Sequence, residues 1–237
     1  ITHLQRVASE AAEKTIEHSR TRVEAILSRP ARWGGLDVSL GYGAVSATAA
    51  LMLGARPVVA ILALVAAWCI HRTQVWLAER RVSVVFQQCV GGALAAAAAA
   101  LVALVKGWGM PGLEGINPSI IVIAAIIPML AGLAILGASE DIISGLYVTG
   151  TAHALHGLTV TIGLVLGASV VVAGTTWIGL PVEMDADFTL RGLSWPASIV
   201  WAGIVAAGWA FCTRASRRAT VSSGLIGAKG WALYLWL

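Results

Sequence analysis

Charge is scarce in this chain, and its absences carry more information than its presence. Only 12% of the 237 residues are charged, against about 25% in soluble domains. The stretches 36–54, 82–105, 119–138, 158–176 and 197–211 hold one acid, Asp37, and no lysine or arginine. Segment 57–70 is a shorter run of the same kind. With 58% hydrophobic residues, too little polar surface exists to cover a large water-soluble core, so that class is excluded. Cysteine is also sparse. Cys69, Cys89 and Cys212 stand alone, with no CxxC or Cys/His spacing, so neither a disulfide framework nor a metal site is implied. They read as small buried hydrophobes. No Ser/His/Asp triad, metal-ligand spacing or phosphate loop stands out, so an enzyme reading has no support and no metal or cofactor is assigned.

What remains is a chain of apolar runs. Runs of roughly 17–25 residues match the thickness of a bilayer. The fold class expected is all-α, a polytopic membrane protein. Six transmembrane helices are expected near 36–54, 57–76, 82–105, 118–139, 154–176 and 196–213, with a partial seventh from residue 221. Glycine and alanine are frequent within the runs, which suits close helix approach in lipid. Trp33, Trp76, Trp108, Trp177 and Trp195 lie near run ends, where an interfacial aromatic belt sits. Trp68, Trp201 and Trp209 lie deeper and read as packing residues.

The net charge of +4 could suggest nucleic acid, but the positions argue against it. Arg29 and Arg32 precede the first run, Arg72, Arg80 and Arg81 follow the second, and Arg214, Arg217 and Arg218 follow the sixth. The opposite loops hold Arg56, Lys106 and Arg191 with Glu114, Glu183, Asp185 and Asp187. This is the positive-inside asymmetry, and it places the N-terminus in the cytoplasm. Loops 55–57, 106–118 and 177–195 then face outward, and loops 71–82, 139–153 and 213–221 face inward.

Both ends of the sequence look like internal points of a longer protein. It starts at Ile1, and it stops at Leu237 inside an apolar run, 224–237. Segment 1–28 is polar and charged with a partial apolar stripe through Leu4, Val7, Ala11, Ile16 and Val23, a helix pattern that Pro30 would end. The expected division is a cytoplasmic helix, 1–30, left from an N-terminal soluble domain, then a five-span half, 31–176, then an outer loop and the first spans of a second half, 177–237.

The centre of the chain carries the chemistry. Asn117-Pro118 opens a run as a turn and helix start. Pro128 sits inside that run, where a missing donor and a ring clash break the helix. The carbonyl so freed needs another partner within a bilayer. Transporters expose backbone to substrate at such breaks. Glu140 and Asp141 follow, then Ser144, Gly145, Thr149 and Thr151, then His153 and His156. Ionisable groups between two membrane-length runs point to a pathway. Asp141, Glu140 and His153 are the candidate proton-coupling residues, with a His–Asp relay chemically possible. Asp141 shares its helical face with Gly137, Ala138 and Gly145, a small-residue surface suited to a cavity. Pro128 to Thr151 is expected to line that cavity. Candidate substrate contacts are Gln87, Gln88, Asn117, Pro128, Gly132, Ser139, Ser144, Gly145, Thr149 and Thr151.

These residues also form an ordered set. Val85-Phe86-Gln87-Gln88-Cys89-Val90-Gly91-Gly92 comes first, then Gly115-Ile116-Asn117-Pro118-Ser119. Ala131-Gly132-Leu133 follows, then Glu140-Asp141-Ile142-Ile143-Ser144-Gly145 and Val148-Thr149. In this order and spacing the set resembles the bacterial threonine/serine exporter family. The resemblance covers the chain from Arg29 to Leu237. It implies two five-span halves of opposite topology after a cytoplasmic domain, of which this chain would hold the first half and the start of the second, one half of an inverted repeat. It further implies a proton-coupled secondary exporter of threonine and serine in the cytoplasmic membrane. The partners implied are a small amino-acid substrate, protons and the lipid bilayer, with a homo-oligomer left open and no nucleic acid. Two other readings stay open: a dicarboxylate exporter of the same architecture, and a membrane scaffold subunit that transports nothing.

Overall fold

The computed structural model describes residues 35–107, 117–130, 132–179, 195–213 and 215–236. The chain divides into two compact units, Ile1–Asp37 and Val38–Leu237. The second holds every described helix apart from the opening residues of the first one. The expected helix over 1–28, Trp33, Trp108 and the acidic residues of the two long outer loops lie outside the described residues.

The regular elements among the described residues are helices. They are α1 Gly35–Met52, α2 Pro57–Glu79, α3 Val84–Gly107, α4 Pro118–Ile126, α5 Gly132–Ile143, α6 Tyr147–Trp177, α7 Trp195–Cys212 and α8 Arg217–Trp236. Four of them (α2, α3, α6 and α7) are long and apolar enough to cross a membrane. The pair α4 and α5 makes a fifth if its bent halves count as one span. α1 is apolar but shorter, and α8 carries Arg217, Arg218 and Lys229. The count of six spans and a partial seventh is thus finer than what length and apolarity establish, although a helix occupies each expected position.

Local chemistry sets the boundaries. Pro57 and Pro118 each open a helix at its first turn, where proline's missing N–H is no loss. The Asn117 side chain accepts from Ser119 N at 3.0 Å, capping α4. Two expected loops are mostly helix instead. α2 runs on through Glu79, and α5 and α6 leave only residues 144–146 between them. The charges in 71–82 and 139–153 mark where helices emerge, and a helix need not stop at the edge of the apolar layer.

Small residues set the packing. Ala49, Ala50, Ala63, Ala95, Ala99 and Ala124 are fully buried. On α6, Gly163 and Gly167 face the Val85 and Cys89 carbonyls of α3, and Gly92 of α3 faces the Leu164 carbonyl. A Cβ on Gly163 would lie 2.6 Å from Val85 O, and one on Gly167 would overlap Cys89 O. This is backbone-to-backbone approach through a GxxxG spacing, the close contact that drives helix association in lipid. α7 and α8 pair in a similar way, with Gly203 against the Gly224 carbonyl and Trp231 Nε1 donating to Ser198 Oγ at 3.1 Å.

Large apolar side chains point outward. Ile61, Leu101, Ile162, Val170 and Val200 are exposed, as are Trp76, Trp177 and Trp195 near helix ends. An apolar exterior with tryptophan at the ends suits a bilayer. The cysteines differ from expectation: Cys212 is buried, Cys89 partly so, and Cys69 exposed. Cys69 shares the outer face of α2 with Ile61 and Val65, so its neighbour would be lipid rather than core.

Candidate functional site

The helix that starts at Pro118 breaks where the proline predicts. After Ile126 the chain tightens into a 3-10 turn, Ile127–Met129, and Leu130 is extended at ψ 138°. Helix resumes at Gly132, and the two halves differ in direction by 44°. Pro128 cannot donate to the carbonyl four residues back, that of Ala124. Ser46 Oγ of α1 takes that place, donating to Ala124 O at 2.8 Å, with Ala63 O of α2 at 3.1 Å. One buried hydroxyl therefore ties α1, α2 and the break together.

A cavity of about 480 Å³ opens beside this break. Pro128, Met129 and Leu130 form one wall. Tyr42 of α1, His71 and Gln74 of α2, Gln87 and Gln88 of α3, His156 of α6 and Trp209 of α7 form the others. Every described lining residue lacks a fixed charge. The polar groups are organised by contacts with one another. His71 Nδ1 and Ser39 Oγ are 2.9 Å apart. The His71 ring stacks on Tyr42 with centroids 4.1 Å apart, and Tyr42 meets Trp209 edge-on at 5.6 Å. Gln74 Nε2 donates to Gln88 Oε1 at 3.4 Å, and Gln87 Nε2 donates to Val82 O at 2.7 Å. Gly91 leaves room for Met129, whose methyl occupies the space a Cβ would take.

The second polar cluster lies at the α5–α6 hairpin. Asp141 Oδ2 and His153 Nδ1 are 2.8 Å apart, with the two side chains 21% and 49% exposed. The hairpin makes this pairing. Gly145 has φ 80°, and its N–H bonds Ile142 O while Leu146 N bonds Asp141 O at 2.8 Å. These two bonds and a left-handed glycine are the Schellman stop. Gly150 then packs on Ala138 and Ile142, and Gly137 on His153. The part of that small-residue face at Gly137 and Ala138 is consequently covered by α6, while Gly145 stays open. Helix packing used the space that small side chains left.

The other expected contacts scatter. Pro128, Gln87 and Gln88 reach the cavity. From the expected lining segment, Pro128 to Thr151, only Pro128, Met129, Leu130 and Ala134 do so among the described residues. Glu140, Ser144, Gly145 and Thr149 are exposed around the hairpin. Ser139 donates to Ile135 O and Thr151 to Tyr147 O, both exposed and satisfied within their own helices. Asn117 is spent on its cap, and Gly132 is the first residue of α5. His153 pairs with Asp141, whereas His156 turns to the cavity. Tyr42, His71, Gln74 and Trp209 were not expected there. Their signal was present on α2: His71, Gln74, Val75 and Ala78 fall at i, i+3, i+4 and i+7, one helical face.

This arrangement can be set beside known proteins. The family described as "Putative threonine/serine exporter" matches residues 1–174. The chain belongs to the threonine/serine exporter family. Within 1–174 lie the α3 start with Gln87, Gln88, Gly91 and Gly92, the Pro128 break and the α5–α6 hairpin. Among curated relatives, "Threonine/serine exporter" of Corynebacterium glutamicum is 28% identical over 228 residues, 95% of this chain and 44% of that protein. "Probable threonine/serine exporter" of Mycobacterium tuberculosis is 23% identical over 186 residues, 78% of this chain and 33% of that protein. The chain thus spans less than half the length of these curated relatives. No solved structure matches it. Membership of an exporter family, with four to five membrane-length helices, makes this a multi-pass membrane protein.

Proposed function

We propose that the protein exports small polar amino acids, threonine and serine, across the cytoplasmic membrane, with its N-terminus inside, as a proton-coupled secondary transporter. The observation that carries this is the 480 Å³ cavity at the Pro128 break, lined by amides, aromatic rings and histidines. Pockets of about 300–1,000 Å³ suit small ligands, and broken helices are where transporters place them. Gln87, Gln88 and Pro128 contribute substrate contacts. Asp141 and His153, already hydrogen-bonded, form the proton-bearing pair, with Glu140 secondary. In this reading six helices span the membrane, the hairpin α7–α8 begins a second half, and the first five spans are one half of an inverted repeat.

A dicarboxylate exporter of the same architecture is the second reading. It is favoured by a lining that carries two histidines and, among its described residues, no carboxylate. Reconstituting the full-length protein in liposomes and following efflux of labelled threonine, serine and succinate across a pH step separates the two. Threonine and serine efflux supports the first reading, and succinate efflux alone supports the second. No efflux of any of them would overturn both.

A further inference from the structure

The cavity poses a problem for any amino acid. A zwitterion brings a carboxylate and an ammonium into a lining whose described residues include no lysine, arginine, aspartate or glutamate. Removing a carboxylate from water without a donor is costly. Neutral side-chain donors line it, among them the Gln88 amide, the Tyr42 hydroxyl and the Trp209 indole, but none of them can take up a proton to become a cation. Gln74 and Gln87 each already use an N–H within the protein. His156 belongs to the exposed face of α6. His71 differs from all of these. Its position is fixed from three sides: by its own helix, by Ser39 Oγ on Nδ1, and by the stacked Tyr42 ring. That leaves Nε2 as the ring nitrogen without a partner among the described residues.

We infer that His71 Nε2–H binds the substrate carboxylate, and that Ser39 and Tyr42 aim it. This rests on the exporter reading above. A hydroxyl can donate or accept: donating to Nδ1 it leaves the ring proton on Nε2, accepting from Nδ1–H it fits the doubly protonated ring, and these two forms, unlike a ring protonated at Nδ1 alone, are the ones that bind a carboxylate. The rest of the zwitterion follows from the same wall. Tyr42 stacks on His71 and meets Trp209 edge-on, both rings line the cavity, and aromatic faces attract an ammonium without a carboxylate. The Gln88 amide, paired with Gln74 across the α2–α3 interface, is left for a side-chain hydroxyl. His71 lies eight residues before the end of α2, about 12 Å along the axis, next to the exposed Arg72 at the start of the charged part of that helix. The titratable groups around it are Tyr42 on α1, Arg72 next on α2, His156 on α6, and Cys212 on α7, whose sulfur packs on Gly41.

The test compares threonine with L-threoninol, which keeps the ammonium and hydroxyl and lacks the carboxylate. Full-length protein in liposomes is assayed for labelled-threonine transport, with unlabelled threonine or threoninol as competitor. His71→Phe keeps a ring to stack on Tyr42 and removes the donor. Wild type should prefer threonine, and His71→Phe should weaken threonine by about 10–100-fold, the range of a charge-assisted hydrogen bond, without weakening threoninol. His71→Gln, which retains an N–H, should recover part of the loss. Equal weakening of both competitors, an unchanged threonine affinity in His71→Phe, or a wild type indifferent to the carboxylate would each overturn the assignment while leaving the exporter reading in place. A wild type that transports no threonine would overturn both.

Discussion

Two histidines of this protein hold a hydrogen bond at Nδ1, and they sit in opposite circumstances. His153 meets Asp141 at 2.8 Å across a three-residue turn, twelve residues away in sequence, with its side chain half exposed. His71 meets Ser39 at 2.9 Å across two helices, thirty-two residues away, in the wall of a cavity. The first pair is local and is made by a hairpin. The second is assembled by tertiary packing, and with it come Tyr42, Gln74, Gln88 and Trp209 from four helices. A local pair suits proton exchange with water, because the hairpin places it at the surface. An assembled wall suits recognition, because its groups surround one volume.

The largest effect should come from breaking what both regions share. α6 carries His153 and His156, and its fit against α3 depends on Gly163 and Gly167. Gly167→Val puts atoms into the Cys89 carbonyl, with no flexible side chain able to give way. Overpacking of this kind costs about 3 kcal/mol or more. The variant should lose cooperative unfolding in detergent and all transport. Retention of the wild-type melting temperature would show that α3 and α6 are not held this closely.

Asp141→Asn acts on the local pair alone. An amide cannot hold a proton for exchange, so gradient-driven threonine efflux should fall at least tenfold while the protein stays folded. Glu140→Gln, on an exposed side chain outside that pair, should do less. Efflux at the wild-type rate in Asp141→Asn liposomes would remove Asp141 from coupling.

Ser46→Ala acts on the assembled region alone. It strips the Ala124 carbonyl of the donor that replaces the Pro128 N–H. An unsatisfied buried acceptor costs about 1–3 kcal/mol. The loss should appear as a lower melting temperature and as weaker threonine affinity, since the break shapes one cavity wall. The Asp141–His153 contact should survive, which the His153 ring resonances would report. Unchanged stability would mean that another group satisfies Ala124.

The two regions were unequally legible in sequence, for physical reasons. Hydropathy placed the helices because lipid leaves a charge-free run almost no alternative. Pro128 announced its own break, and Asp141 with His153 stood out as ionisable residues between apolar runs. His71 stood out less. The arginines after Ile70 mark a membrane edge, and that made 71–82 look like a loop when α2 continues to Glu79. Tyr42 and Ser39 sit in a run whose composition says only that it is apolar. Trp209 reads as packing until α7 is seen against α1, where Gly208 meets Val45. Local sequence shows which groups could titrate. Which of them share a cavity is decided by helix packing, which a single sequence encodes only in scattered glycines.

The smallest expected effect concerns how each histidine-bearing region is terminated. α5 ends on Gly145 at φ 80°, and α2 ends on Arg81 at φ 57°. Both make the same stop, since Arg81 N bonds Ala78 O and Val82 N bonds Leu77 O, as Gly145 and Leu146 do with Ile142 and Asp141. The left-handed region disfavours a Cβ by about 1–2 kcal/mol. Gly145→Ala should therefore destabilise the hairpin by about 1 kcal/mol. Arg81→Gly runs the other way and meets an opposing term. It relieves the left-handed strain, but glycine loses more backbone freedom on folding, an effect of about 0.5–1 kcal/mol. The net gain should be below about 1 kcal/mol, seen as a small rise in melting temperature with transport unchanged. The neighbouring Arg80, which lies over the Trp76 ring at 4.8 Å, keeps the end of α2 anchored in either case. A clear loss of stability in Arg81→Gly would mean that the Arg81 side chain itself holds the turn, and that the two stops, alike in backbone, are secured by different forces.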